Sequence, residues 1–354
     1  MAATRLSVLL VTPDTWTTWS TTLAALRAQT IRDRIELVLV GPALDAIDVP
    51  DSEVAGFAAV RKVAVPNMAR IGQAYAEGIR ASTAPLIALT EDHCFPETDW
   101  AEALLRRHDQ GDWAAVGPTM INGNPDSAAS WTQFIVEYGN HSTVGEKGVR
   151  QELPGHNSCY RRDALLFYEP RLEWWFECET IMQWDMTRRG LRLYADPAVR
   201  THHWNCSRFW PTVRFSWLYP RVFAAYRATQ LNWTSHAKLA LLWPVIPFVR
   251  LGRTWPLMKR QLGLSRALQL SPGVFLNFLV SGASEGLGYI AGVGEAWLGR
   301  CFDLEFHRDR FLRDGEAYRP SEFPATATDV PSTKWRTASG RQVSRSRSAS
   351  GDLP

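Results

Sequence analysis

The chain has 354 residues, 45% of them hydrophobic, with 39 Lys and Arg against 36 Asp and Glu. That length and apolar content exclude collagen, coiled coil and wholesale disorder and are enough to bury one large core or two coupled ones. The formal charge of +3 is too balanced for a protein that coats nucleic acid, so no specific nucleic-acid partner is expected.

The first apolar run, Leu6–Val11, is closed by Thr12-Pro13-Asp14. It is too short for a secretory signal and lacks a cleavage pattern, and it reads as a buried strand. A helix over 17–29 follows, with Leu23, Ala24 and Leu26 on one face, then strands at 35–40 and 58–65, a helix at 68–81, a strand at 86–90, a helix at 98–108 and a strand at 113–116. Short β-branched runs alternating with helices require right-handed crossovers, so the expected fold class is α/β with a doubly wound, mostly parallel sheet. Residues 121–154, rich in Gly, Asn and Ser, read as a long connection around one short helix, Ala128–Tyr138. Helices at 161–167 and 177–189 and two short strands at 192–194 and 198–201 close this unit near residue 205.

From there the chemistry changes. Residues 197–284 hold eleven basic side chains and no carboxylate, leaving 28 basic against 36 acidic, a formal −8, for the rest of the chain. Residues 206–312 read as a helical region in which Trp210, Trp217, Trp233, Trp243 and Trp255 lie among arginines and lysines, a composition suited to an anionic membrane surface. Residues 239–249 are too short to span a bilayer. Residues 272–298 are long enough, at the expense of placing Glu285 in lipid. Gly282, Gly286, Gly288 and Gly292 instead suggest a helix packed closely on another. Residues 313–354 turn to Pro, Ser, Thr and Arg and read as a disordered tail. The five cysteines are widely spaced, odd in number and without a C-x-x-C pair, which points to the reducing cytosol rather than to a disulfide framework or zinc ribbon.

The chemistry-bearing stretch is Leu86-Ile87-Ala88-Leu89-Thr90-Glu91-Asp92-His93-Cys94-Phe95-Pro96. An apolar strand ends in two carboxylates and an imidazole, and open α/β sheets bind ligands beyond the carboxyl ends of their strands. Hard oxygen ligands there suit Mg²⁺ or Mn²⁺ bridging a diphosphate, and helix capping by Glu91 and Asp92 is the bland alternative.

Together with Ser7 to Thr12, the Thr22-Leu23-x-x-Leu26-x-x-Gln29 helix, Ile35 to Val40 and Ala76-x-Gly78-Ile79, this stretch resembles the family-2 glycosyltransferases with a GT-A fold. The resemblance runs from about residue 5 to 205. It continues through Gly155-His156-Asn157-Ser158-Cys159-Tyr160-Arg161-Arg162, through Glu179 before Gly190, and through Asp196 to His202. It implies a nucleotide-sugar donor and an inverting transfer to a glycan acceptor in polysaccharide biosynthesis, and the acid-free basic segment adds the expectation of the cytoplasmic face of the cell membrane and, from it, of a lipid-linked acceptor. The implied divalent metal is held at Asp92 with His93 and His202, and Thr12, Asp14, Glu91 and Asp92 contact the donor. Glu179 is the candidate general base, with Glu177 second because the two diverge by about 200° on a helix. His203 is a further candidate ligand, and Trp174, Trp175 and Trp184 are candidates for stacking a sugar. The chain departs from the family pattern at Gly41-Pro42, where an Asp pair usually grips the base, and at Thr90, where the first Asp of D-x-D stands. Asp14 and Asp45 are the nearest substitutes, and the nucleobase stays open. The alternatives are a noncatalytic membrane-associated scaffold that retains the fold and a metal-dependent hydrolase using Asp92, His156 and His202.

Overall fold

The computed structural model describes residues 4–12, 16–66, 68–142 and 147–316, with the side chains of residues 16–18 left undescribed. Asp14 and residues 317–354 of the tail lie outside the described residues.

The first half builds the sheet from β1 (Leu6–Val11), α1 (Trp16–Arg27), β2 (Ile35–Gly41), α2 (Asp51–Val54), β3 (Ala59–Ala64), α3 (Ile71–Ala81), β4 (Leu86–Glu91), β5 (Cys94–Pro96), α4 (Trp100–Asp109) and β6 (Ala115–Asn122). The second contributes α5 (Ala128–Tyr138), β7 (Gly148–Arg150), β8 (Cys159–Arg161), α6 (Arg162–Leu166), α7 (Leu172–Phe176), α8 (Glu179–Arg188) and β9 (Leu193–His203). The helical region holds α9 (Phe209–Ala228), α10 (Trp233–Leu241), α11 (Ile246–Ala291) and α12 (Glu295–Phe306). The strand order is β3-β2-β1-β4-β8-β6-β9-β5, with β7 paired to β9. The four parallel ladders, β1 with β2 and β4, β2 with β3, and β6 with β9, are the long ones. The antiparallel ladders of β5, β7 and β8 hold two or three pairs each.

Both faces of the sheet are covered, so its central strands read as continuous apolar runs. Leu9, Val11, Ile87 and Leu89 pack on the face of α3 with Tyr75, Ile79 and Phe176. Leu6, Val8, Leu10 and Ala88 pack on the opposite face with Trp19, Leu23 and Leu26 of α1 and Trp100 and Leu104 of α4. Period-two alternation continues along β4 and puts Glu91 in the row of Ile87 and Leu89.

Three features differ from the sequence reading. β6 runs on to Asn122, into the stretch read as a connection. The two short strands near 192–201 are one strand, β9, whose register against β6 slips at Pro118/Thr119, so that Asp196 pairs with Pro118 and Arg200 with Thr119. Pro197 follows that slip directly, and a residue without an N–H interrupts the ladder where the sequence seemed to stop. The helix read at 177–189 is α8, Glu179–Arg188, and it is preceded by a separate short helix, α7, which ends at Phe176 and which the sequence reading does not contain.

In the helical region α11 breaks at Gly263, where φ is 75°, and the stretch read as 272–298 is divided by Gly292, at φ 63°, and Gly294 before α12. Gly282 and Gly286 lie against Trp243, and Gly288 lies against Arg221 and Ala224, so a side chain at any of the three would force these segments apart. Glu285 is buried and accepts from Arg250 Nη2 at 2.6 Å, so its charge is matched within the protein. All five cysteines are buried and free.

One polar hub ties the sheet together. Glu36 on β2 is 1% exposed and accepts from Ser7 on β1, from Arg61 on β3 and from the N–H and hydroxyl of Thr83, both at 2.8 Å. Burial alone would raise its pKa, but these donors outweigh burial and hold it at about 2, against an ordinary 4.5. A depressed carboxylate stabilises the fold above its unfolded pKa and ceases to do so as pH falls through the folded one. Glu36→Gln is therefore expected to cost about 3 kcal/mol at pH 7. The gap between variant and parent should close between about pH 4.5 and 2, read by urea unfolding across that range.

Candidate active site

Beyond the carboxyl end of β4 the chain gathers buried acids and imidazoles. Glu91 is 1% exposed. Its Oε2 accepts from Asn157 Nδ2 at 2.7 Å and faces Cys94 Sγ at 3.1 Å, with His93 Nε2 at 3.7 Å and His203 Nε2 at 4.0 Å. The antiparallel pairing of β5 with β9 sets Cys94 opposite His203, which brings a residue from the end of β9 to the end of β4.

Both imidazoles are fixed through Nδ1. His93 Nδ1 lies 2.8 Å from Asp92 Oδ1, and His203 Nδ1 lies 2.9 Å from Asn205 Oδ1. The Asn205 amide is itself oriented by donating to Asn122 Oδ1 and to the His203 carbonyl. Each ring therefore turns its Nε2 toward Glu91. Neither Nε2 has a hydrogen-bond partner among the described residues. Burial lowers both imidazole pKa values, that of His203 to about 3, so both rings are neutral. Two buried ring nitrogens without partners beside a carboxylate are an arrangement that a cation between them would satisfy.

The donor chemistry fits such an ion. Glu91, His93, Cys94 and His203 offer ligand atoms within 4.8 Å of one another, and a second group, Glu91, His156 and Glu305, shares Glu91 with the first. Imidazole nitrogens with carboxylate oxygens suit Mn²⁺ better than Mg²⁺, which prefers oxygen alone. Among the described residues Asp92 and His202 belong to neither group. Asp92 lies behind His93 and orients it, as outer carboxylates do for ligating histidines. His202 points elsewhere, with its Nε2 3.1 Å from Glu97 Oε1. Thr12 is buried at the end of β1, and Asp45 is exposed and caps its own turn at Ala46.

A second line of groups runs through His156, in the turn before β8. Its Nδ1 lies 3.3 Å from Glu91 Oε1, its Nε2 contacts Glu179, and its ring stacks on Tyr75 with centroids 4.6 Å apart. Gly155 permits the approach, since a Cβ there would stand 2.8 Å from Glu179 Cβ. Burial alone would lower the imidazole, but Glu179 and then Glu91 outweigh it and raise it to about 9, so His156 is an imidazolium between two carboxylates. Burial pushes Glu179 up to about 7, against the pull of His156.

Glu177 is engaged differently. It accepts from Arg70 Nε at 2.9 Å and from Gly72 N at 3.3 Å, so it joins an ion pair and caps the start of α3. Trp174 lies 4.9 Å from Tyr226, Trp175 lies 4.8 Å from Tyr168, and Trp184 packs on Phe223. None of the three tryptophans lines the adjacent cavity, and they join α7 and α8 to α9.

That cavity, about 500 Å³, has Glu91, His156 and Glu179 on the side of the sheet and Phe215, Tyr219 and Arg253 on the side of the helical region. Sequence reasoning missed Glu137, Glu305 and Arg308 in its wall. Burial raises Glu137 to about 8 and raises Glu305 as well, whereas the charged His156 helps to hold Glu91 low against its own burial. Acids thus outnumber the cations His156 and Arg308 at this point, which again suits a divalent ion.

No protein-family profile matches the chain, and no curated protein matches it in sequence. Among solved structures it is similar to GalNAc-T7 with UDP, GalNAc and Mn²⁺, at 18% identity and TM-score 0.42 over 56% of this chain and 43% of that one. The chain therefore spans less than half the length of that protein. It is also similar to the mannosyltransferase PcManGT from Pyrobaculum calidifontis in complex with GDP-Man and Mn²⁺, at 15% identity and TM-score 0.47 over 82% and 86% of the two chains. A mycobacterial protein aligns at 15% identity and TM-score 0.43 over 64% and 75%.

The two candidate bases should separate in stability. Glu177→Gln removes the buried carboxylate partner of Arg70, leaves it Glu295 and Tyr226 at 3.4 Å, and weakens the cap of α3, a cost of about 1–3 kcal/mol. Glu179→Gln should cost less, because Glu179 is the first of the groups that keep His156 charged, and without it the buried imidazole can shed its proton. Urea unfolding of both variants measures the difference.

Proposed function

We propose that the chain is an inverting glycosyltransferase that moves a sugar from a nucleotide-diphospho-sugar to a hydroxyl of a glycan or lipid-linked acceptor. The observation that carries this reading is the line Glu179–His156–Glu91, which joins a buried base to the cation-ready end of β4 inside one cavity. The family-2 sequence motifs supply the reaction class.

An inverting transfer needs a carboxylate that accepts the proton of the attacking hydroxyl. Glu179 is that base. With a pKa raised by burial to about 7, it is more basic than an ordinary carboxylate and still substantially ionised at neutral pH. His156 orients the carboxylate and compensates its charge, and Tyr75 fixes the plane of the ring. Glu91, His93 and His203 would hold the divalent cation, and Asp92 and Asn205 orient the two rings. Bound there, the ion supplies positive charge for the departing diphosphate. The apolar wall of Phe215, Phe223 and Phe278 limits the water that competes with the acceptor.

The partner surface in this reading is an anionic membrane at the cytoplasmic face. Around the α10–α11 connection Leu241 (80% exposed), Leu242, Val245, Phe248 (64% exposed) and Val249 form an exposed apolar stripe, with Trp233 (76% exposed) nearby. Lys238, Arg253 and Lys259 are exposed on the same two helices. Among the described residues α11 alone is long and apolar enough to cross a bilayer, at mean hydropathy 1.2, but 56% of that window is buried inside the protein. Packing of this kind favours a helix lying on the interface over a span.

Glu179→Gln should retain donor binding and lower transfer about 100-fold or more, measured as product formed from a panel of nucleotide sugars and identified by mass. Failure of the wild type to release nucleoside diphosphate from every donor, with Mn²⁺ present, would favour the noncatalytic scaffold. For the membrane, the full chain should co-sediment with anionic vesicles and poorly with neutral ones at low salt. Replacing Leu241, Leu242, Val245 and Phe248 by Ser should remove the salt-resistant part of that binding, since each buried apolar side chain contributes about 1.5–3 kcal/mol.

A further inference from the structure

The C-terminal helix α12 returns to the sheet and places Glu305 in the cavity wall beside Glu91. Glu305 is 3% exposed, and its position is held from two sides. Tyr219 of α9 donates to Oε2 at 2.6 Å, with its hydroxyl also 3.0 Å from the Cys301 carbonyl of α12, and Arg308 Nη2 donates to both carboxylate oxygens at 3.0 Å. Oε1 also faces His93, whose Nε2 is 3.7 Å away.

That nitrogen is the independent observation. His93 is fully buried, its Nδ1 is committed to Asp92, and its Nε2 has no hydrogen-bond partner among the described residues. It lies 3.7 Å from Glu91 Oε2 and 3.7 Å from Glu305 Oε1. These separations are too long for hydrogen bonds, and a buried ring nitrogen without a partner between two carboxylate oxygens is an arrangement that a shared positive ion satisfies. We infer that Glu305 is a further ligand of the divalent cation, added from the helical region to the ligands that Glu91, His93 and His203 offer within residues 1–205. This rests on the reading of the β4 end as a cation site. It adds that the helical region supplies one of the ligands, so that the ion fastens α12 to the sheet.

The test is Mn²⁺ binding by calorimetry to the full chain without donor. Glu305→Gln should weaken binding about tenfold or more, with the thermal unfolding midpoint of the variant showing that it folds. In wild type, Mn²⁺ should slow amide hydrogen exchange in α12 as well as at residues 91–94. The variant Glu91→Gln separates the two levels of the inference. If it binds Mn²⁺ like wild type, the cation site at β4 is wrong. If it loses Mn²⁺ while Glu305→Gln keeps full affinity, the site stands and Glu305 is only the partner of Arg308. Should Glu305→Gln fail to fold, the exchange measurement decides: protection at 91–94 with none in α12 overturns the assignment, and protection in both supports it.

Discussion

The burial of Glu91 is the constraint on which the rest of the site depends. A carboxylate at 1% exposure is tolerated only where its charge is met, and around this one the chain brings three histidines, an amide and a thiol from three separate segments. Asp92 and Asn205 fix His93 and His203 through Nδ1, and each ring turns to Glu91 an Nε2 that has no hydrogen-bond partner among the described residues.

The same need for charge balance explains why the helical region belongs with the sheet. Glu305 and Arg308 are buried at the junction, Arg308 stacks over Phe215 of α9 with its guanidinium 4.8 Å from the ring centroid, and it lies 3.6 Å from Glu137 of α5. A buried ion pair of this kind contributes little net stability, because desolvation offsets most of the attraction. It does specify one geometry, since any displacement of α12 leaves charges unpaired in the interior.

Charge matching also reshapes the basic segment. Read along the chain, residues 197–284 offer eleven cations and no acid. In the fold Arg200 meets Glu97, Arg208 meets Asp314 and Arg250 meets Glu285, all acids from outside the segment, while Arg221 stacks on Trp297. The positive charge that this segment leaves unmatched is therefore smaller than the count suggests.

The sequence by itself determined the local structure and the place of the candidate site. The apolar runs Leu6–Val11, Ile35–Gly41 and Leu86–Glu91 are continuous because strands covered on both faces have no polar side, so their positions are legible residue by residue. The change to acids and an imidazole at Glu91, Asp92 and His93 marked the functional end of β4 in the same way. What it did not determine is which of those neighbours face each other. Adjacent residues diverge and residues two apart converge, so Glu91 pairs with His93 and leaves Asp92 behind it, and the slip in β9 that brings His203 rather than His202 to the site depends on pairing with β5 and β6. Glu177 and Glu179 likewise look alike in sequence and separate only once Arg70 and Gly72 claim the first and His156 the second. Glu305 and Arg308 stand more than 200 residues beyond Glu91 with no motif around them, and only the return of α12 across the cavity gives them a role. Charge compensation in a buried site acts through space at a few ångströms, and sequence separation carries no information about that distance until the chain has folded.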